Sequence, residues 1–160
     1  MSETRQRVPM SSTQVTMMEI VMPNEANSMG NVFGGRVMSL IDIAGAMSAL
    51  RLCRMPVVTA SVDRIDFRAP IRVGEFIILH ANVNYTGRTS LEVGVKVIGE
   101  HPLTGERTHT STAYLTYVAL DPEGKPAPIP QVVPETEEEQ AWHAAAQERR
   151  ARRLAQTKKE

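Results

Sequence analysis

Cysteine is almost absent: Cys53 is the only one in 160 residues. An intrachain disulfide and a cysteine metal cluster are thereby excluded. A reducing compartment, the cytoplasm, is the simple expectation. An excess of either charge is absent too, since 18 basic residues balance 18 acidic ones. That argues against a nucleic-acid partner and leaves only local basic patches to consider. No apolar run reaches the roughly 18 residues that a membrane helix needs, and the opening MSETRQRVPM lacks the apolar core of a leader peptide. Neither a membrane partner nor secretion is therefore expected. The histidines, His80, His101, His109 and His143, follow no metal-ligand spacing. A phosphate-binding loop, a dinucleotide fingerprint and an internal repeat are also missing. No metal is expected.

What is present is enough for one domain with polar ends. The apolar fraction of 42% is ample for a single core. One stretch organises the rest: Gly30-Asn31-Val32-Phe33-Gly34-Gly35, followed by the apolar run Arg36 to Leu52. Glycines sit where a loop turns into a helix, and the run behind them is apolar on nearly every side. Such a helix is normally buried all round. It contains one carboxylate, Asp42, and a charge on a wrapped helix is costly unless it is paired or has a job.

Taken in order, residues 1–11 are polar and expected to be mobile. Ser12 to Met22 favours a strand. The helix is expected from Gly34 to Cys53, and Pro56 prevents its continuation. Val57 to Phe67 reads as a strand with polar and apolar groups mixed on both faces, which suits a site, an interface or a plain edge. Glu75 to Tyr85, Ser90 to Ile98 and Arg107 to Leu120 alternate as strands joined by short turns, so they should be antiparallel neighbours. A curved antiparallel sheet wrapped around one long helix, an α+β fold, is the economical arrangement. Asp121 to Pro134 is proline-rich and reads as a linker. Residues 135–160 lead with acids and end with bases, an order that favours a helix through its dipole. Trp142 is its candidate anchor to the body or to a neighbouring subunit.

Asp42 admits two readings, a structural carboxylate held by backbone or a basic neighbour, and a catalytic one. Asn31 is either a turn or capping residue, or a second polar group aimed at the helix start. Gly35 and Asp42 lie two turns apart, about 10 Å along the axis, and Asn31 lies further out. One chain is not expected to bring Asn31 and Asp42 to the same water. Two helices antiparallel across a two-fold axis would, and would generate two equal sites. Gly34 and Gly35 admit close approach of a ligand, and the free N–H groups of a helix start suit a developing oxyanion. Cys53 reads as a small apolar residue rather than a nucleophile. Arg64, with Arg68 and Arg72, and the turn Thr86-Gly87-Arg88-Thr89-Ser90 are either solvated surface or phosphate contacts.

These residues carry a resemblance. Asn31-Val32-Phe33-Gly34-Gly35, then Met38-Ser39-x-x-Asp42 and Ala44-Gly45-Ala46, resembles the signature of hot-dog-fold acyl-CoA thioesterases, in the acyl-CoA hydrolase branch. It continues in Val58 to Asp63, Ile65-Asp66-Phe67, Pro70 to Glu75, Gly87 to Val93 and Tyr117 to Asp121, and so covers roughly residues 12 to 130. The resemblance implies a hot-dog domain over 12–130, a homodimer with a continuous sheet, and commonly a trimer of dimers, hence a hexamer. It implies that Asn31 and Asp42 form a composite catalytic site across the dimer. Acyl-CoA would be hydrolysed to free acid and CoA, with no cofactor beyond the coenzyme A of the substrate itself. Asp42, Asn31 and Gly35 are then the catalytic candidates. Gly34, Phe33, Arg64, Arg88, Thr89 and Ser90 are candidates for holding the substrate, and Met38 and Met47 for lining an acyl tunnel. The rival expectation is a hot-dog module that binds acyl-CoA without hydrolysing it.

Overall fold

The computed structural model describes residues 4–159. The long helix, α1, spans Gly34–Cys53, the bounds expected from sequence. Phe33 precedes it in extended conformation, and Arg54 ends it in the left-handed region (φ 52°), its N–H closing the last turn on Leu50 O at 2.8 Å. Pro56 then forbids any return to helix.

Five strands form one antiparallel sheet. They are β2 (Val15–Ile20), β3 (Val57–Val62), β4 (Phe76–Thr86), β5 (Ser90–Glu100) and β6 (Arg107–Ala119), in the order β2-β4-β5-β6-β3. Strands β4, β5 and β6 are consecutive and joined by short turns, as their alternation dictates. Their inward rows, including Leu91, Val93, Val95, Val97, Leu115 and Tyr117, are essentially inaccessible. They pack on the helix row Val37, Leu40, Ile41, Ala44, Ser48, Ala49 and Leu52, whose spacing repeats every three to four residues.

Within one chain, however, α1 is covered on one side only. Ile43, Met47 and Leu50 form an exposed apolar stripe, Met38 is exposed on the flank that carries Asp42, and Phe33, Val58 and Val62 are also exposed nearby in sequence or along the edge strand. The all-round burial expected of an apolar helix is therefore not met by this chain alone. The strand expected to run to Phe67 stops at Val62. Its sequel, Asp63, Arg64, Asp66 and Arg68, supplies charges rather than an apolar row, and only single backbone bonds tie it to β6: Asp63 N to Tyr114 O and Arg68 N to Thr110 O, both 2.9 Å.

Two other segments depart from expectation. Residues 7–9, read as a mobile start, form β1 (Arg7–Pro9), which pairs in parallel with β7 (Gln131–Val133), part of the stretch read as a linker. Met10, next in the chain, is completely buried, and so are Ile129 and Val132. The C-terminal helix α2 (Glu137–Thr157) begins at Thr136, whose side chain accepts from Glu139 N. Three glutamates in its first turn suit the positive pole of its dipole. It lies on the outer face of the sheet, where Trp142 packs against the core cluster. A buried ion network also holds it: Glu92, 1% exposed, receives Arg149 at 2.7 Å and Arg153 at 3.1 Å.

Candidate active site

Asp42 sits on the flank of α1 beside the sheet edge, half-buried. Strands β3 and β6 bring two hydroxyls to it, because Thr59 and Tyr117 are directly paired across the ladder. Thr59 Oγ1 donates to Asp42 Oδ1 at 2.7 Å. Tyr117 Oη lies 3.0 Å from the same oxygen and 3.0 Å from the Asp42 carbonyl. Burial, then the adjacent Asp42 charge, pushes the Tyr117 phenol well above its ordinary range, so it remains a donor.

One helical turn on, Gly45 makes this approach possible: a Cβ there would lie 2.4 Å from the Tyr117 hydroxyl. The carboxylate is thus fixed by one oxygen. Among the described residues its other oxygen has no hydrogen-bond partner, and no basic group pairs with it.

A cavity of about 260 Å³ opens at this carboxylate, lined by Gly35, Met38, Asp42, Thr59, Val62 and Leu115 among others. That is just short of the volume of ordinary small-molecule sites, roughly 300–1,000 Å³. Larger depressions exist but lie elsewhere. The one of about 690 Å³ is bordered by Glu19 and Glu25, both of which pair with Arg36, and does not reach Asp42.

Of the residues singled out from sequence, Asp42, Gly35 and Met38 share this cavity. A Cβ at Gly35 would meet nothing within 4 Å, so its backbone is open to approach. Among the described residues the N–H groups of Gly34 and Gly35 meet no backbone acceptor, whereas those of Arg36 and Val37 turn back to Phe33 O. Asn31 does not border the cavity. It bridges Arg72 through backbone and closes a turn with Asn27, and its side chain makes no hydrogen bond within the described chain. Phe33 is half exposed, and Gly34 faces the Phe67 ring. Arg64 is 86% exposed and pairs with Asp66 at 3.0 Å. Arg88, Thr89 and Ser90 form a turn whose carbonyls accept from Ile129, Ala119 and Gly87. One chain does not bring that turn to Asp42; Ser90 borders a depression under α2 instead. Met47 points along the exposed stripe.

Sequence reasoning did not single out Thr59, Tyr117 or Gly45. The signals were the polar content of the strand after the helix and the place of all three in segments that carry the family resemblance. Cys53 is buried, and burial pushes its thiol up to about 11, so it is protonated and unreactive at neutral pH.

A helix wrapped by an antiparallel sheet, with a hydroxyl-held carboxylate on that helix at a cavity, defines the hot-dog class of hydrolytic enzyme. The thioesterase superfamily profile matches residues 29–106. The uncharacterised acyl-CoA thioester hydrolase YkhA of Bacillus subtilis (strain 168) is 49% identical over 129 residues, 81% of this chain and 75% of the relative. A solved apo-hexameric acyl-CoA thioesterase superposes with a TM-score of 0.92 at 41% identity, covering 95% of this chain and 97% of that one. An acyl-CoA hydrolase from Staphylococcus aureus, solved with butyryl coenzyme A, coenzyme A and coenzyme A disulfide, gives 0.90 at 35%, covering 96% and 93%. The chain belongs to the thioesterase superfamily, among its hot-dog-fold acyl-CoA thioester hydrolases. Among the described residues, no helix is long and apolar enough to cross a membrane.

Proposed function

We propose that this chain hydrolyses acyl-CoA to free acid and CoA at sites shared between two subunits. The observation that carries the reading is Asp42 itself: a carboxylate fixed by Thr59 and Tyr117, free of any basic partner, with an oxygen left over at a cavity. An ion-paired structural acid would have both its charge and its oxygens engaged. Here the free oxygen can take a proton from water as the water oxygen bonds to the thioester carbonyl carbon. Alternatively it attacks that carbon directly, and water then opens the mixed anhydride. Both routes pass charge to the carbonyl oxygen, and the Gly34 and Gly35 N–H groups at the helix start are suited to receive it. Collapse breaks the C–S bond, and the thiolate of CoA takes up a proton.

Asn31 of the partner subunit would complete the site by orienting the water or the thioester. The exposed apolar face of the helix, the stripe of Ile43, Met47 and Leu50 with Met38 on its flank, gives the reason for pairing, because so much apolar helix surface needs a cover. Symmetric pairing would set each helix start beside the other helix's middle, and a trimer of such dimers is the assembly proposed. Met38 and Met47 can line the acyl path. Arg64 and Arg88 are the proposed contacts for the CoA phosphates, with Phe33, Thr89 and Ser90 nearby on the substrate path. No metal or cofactor enters this chemistry, and the cytoplasm is the proposed location.

The test is thiol release from acyl-CoAs of graded chain length. Turnover should vanish in Asp42→Ala with the assembly intact. Binding without turnover by the wild type would overturn the enzyme reading. Mixing Asn31→Ala with Asp42→Ala subunits should restore about a quarter of wild-type activity, since half of random dimers carry one complete site of two. Absence of recovery despite demonstrated subunit exchange would exclude a shared site.

A further inference from the structure

Arg36 stands where the helix dipole disfavours it. It is the third residue of α1, at the positive pole, and no acid shares that first turn. Two carboxylates from outside the helix answer it. Its Nε donates to Glu25 Oε2, and its Nη2 donates to Glu19 Oε2 of β2 at 2.9 Å. Glu25 is the more buried of the two acids. The Met22 N–H, against the opposing pull of burial and with help from Arg36, holds its carboxyl below the ordinary range. These contacts lie toward β2, at the other end of the sheet from β3, and Arg36 does not border the Asp42 cavity. What they hold is the loop of residues 22–33. That loop is stiff in itself. Ala26 bridges Val32, Phe33 N donates to Glu25 O at 2.9 Å, and Asn27 N donates to Asn31 O at 2.8 Å. The Asn27 side-chain oxygen accepts from Met29 N and Asn31 N. The second limb is fastened by backbone to residues 71–73, through Val32 N to Ile71 O, Val73 N to Gly30 O and the Asn31–Arg72 bridge. The base is fastened by Val21 N to Glu75 O and Gly74 N to Val21 O. The first limb, residues 22–26, has one polar fastening outside the loop among the described residues, the Glu25–Arg36 pair. A stiff loop tilts as a unit, and this latch fixes its tilt against the helix start.

We propose that Arg36 is a positioning residue for the shared acyl-thioester site, setting through Glu25 the angle at which the 22–33 loop of its own chain meets the partner's Asp42. It touches no reacting atom. The loop carries Asn31 and leads into the Gly34 and Gly35 N–H groups, so its tilt decides where the water and the developing oxyanion are met. The catalytic consequence rests on the function proposed above; the mechanical one does not.

Two readouts separate these. The first is hydrogen exchange at the Phe33 N–H, which closes the loop on Glu25 O, in Arg36→Ala and in Glu25→Gln. Both variants alter a part-exposed ion pair and should fold. Exchange should quicken about threefold or more in both. A smaller change overturns the latch whether or not the protein is a thioesterase. The second readout is thiol release. Each variant should lower kcat about fivefold or more with KM near wild type, the mark of lost positioning. A smaller loss, or a raised KM at unchanged kcat, which would make Arg36 a plain substrate contact, overturns the proposal. Subunit mixing then asks whose site the loop serves. Arg36→Ala mixed with Asp42→Ala should recover to about a quarter of wild-type activity, because half of random dimers hold one undamaged loop facing one intact Asp42. Arg36→Ala mixed with Glu25→Gln should stay at the mean of its parents, since every site there meets a loosened loop. No recovery in the first mixture despite demonstrated exchange of subunits, or recovery in the second, would overturn the positioning role. If wild type releases no thiol from any acyl-CoA, the functional reading falls while hydrogen exchange still decides the latch.

Discussion

At the scale of single residues, the site is a problem in fixing one carboxylate without neutralising it. Thr59 and Tyr117 hold one oxygen of Asp42 by neutral donors, which orient it and leave its charge in place. Asp42→Asn preserves the shape and removes the proposed base or nucleophile, so turnover should fall by roughly 10²–10⁴, with little change in Tm. Gly45→Ala should act at a distance: its Cβ would occupy the space of the Tyr117 hydroxyl, 2.4 Å away. Tyr117 must then withdraw from Asp42, and a displacement of about 1 Å commonly costs up to ~10² in rate. Saturating kcat for Gly45→Ala, measured beside its melting curve, checks this.

Tyr117 also links stability to pH. Burial, and then the Asp42 charge, raises its folded value above that of an ordinary phenol, roughly 10. Its contribution is therefore full below about pH 10, and it is lost as pH rises further, because the unfolded chain ionises first. Thermal midpoints between pH 9 and 11 should fall more steeply for wild type than for Tyr117→Phe.

At the scale of elements, α1 and β3 decide the outcome between them. The sequence was legible where local chemistry is decisive. The helix bounds follow from the glycine turn and from Pro56, and the three long strands follow from alternation and short turns. Asp42 stood out because a lone charge on so apolar a helix demands an explanation. Thr59, Tyr117 and Gly45 did not, because their meeting depends on which residue of β3 faces which residue of β6. That register includes a shift which no periodicity reveals. Strands β1 and β7 were missed for a related reason: β1 is three residues ending on Pro9 and β7 is three residues between Pro130 and Pro134, and both look like loop until a distant partner is known.

The exposed stripe makes its own prediction at this scale. Met47→Glu or Leu50→Glu places a charge on the face proposed to meet a second helix. Light scattering should show dissociated subunits, and thiol release should disappear with the assembly. An assembled, inactive Met47→Glu protein would point to the acyl path instead. A fully active, assembled one would remove the stripe from the interface.

At the scale of the whole molecule, the sheet divides the protein into two faces with different work. The inner face carries the helix, the carboxylate and the cavity, and the outer face carries α2 and its ion network. A site completed by a second copy makes activity depend on protein concentration. Specific activity should fall on dilution below the dimer dissociation constant and recover on concentration. Dialysis against EDTA should leave turnover unchanged, and a loss reversed by one divalent ion would contradict the mechanism proposed.

The pairing of Arg7–Pro9 with Gln131–Val133 has a consequence for how the protein is made. During synthesis the first of these segments emerges well ahead of its parallel partner and cannot complete this pairing until Gln131–Val133 has left the ribosome. Residues 7–9 should therefore be among the later segments to acquire protease resistance in a nascent chain.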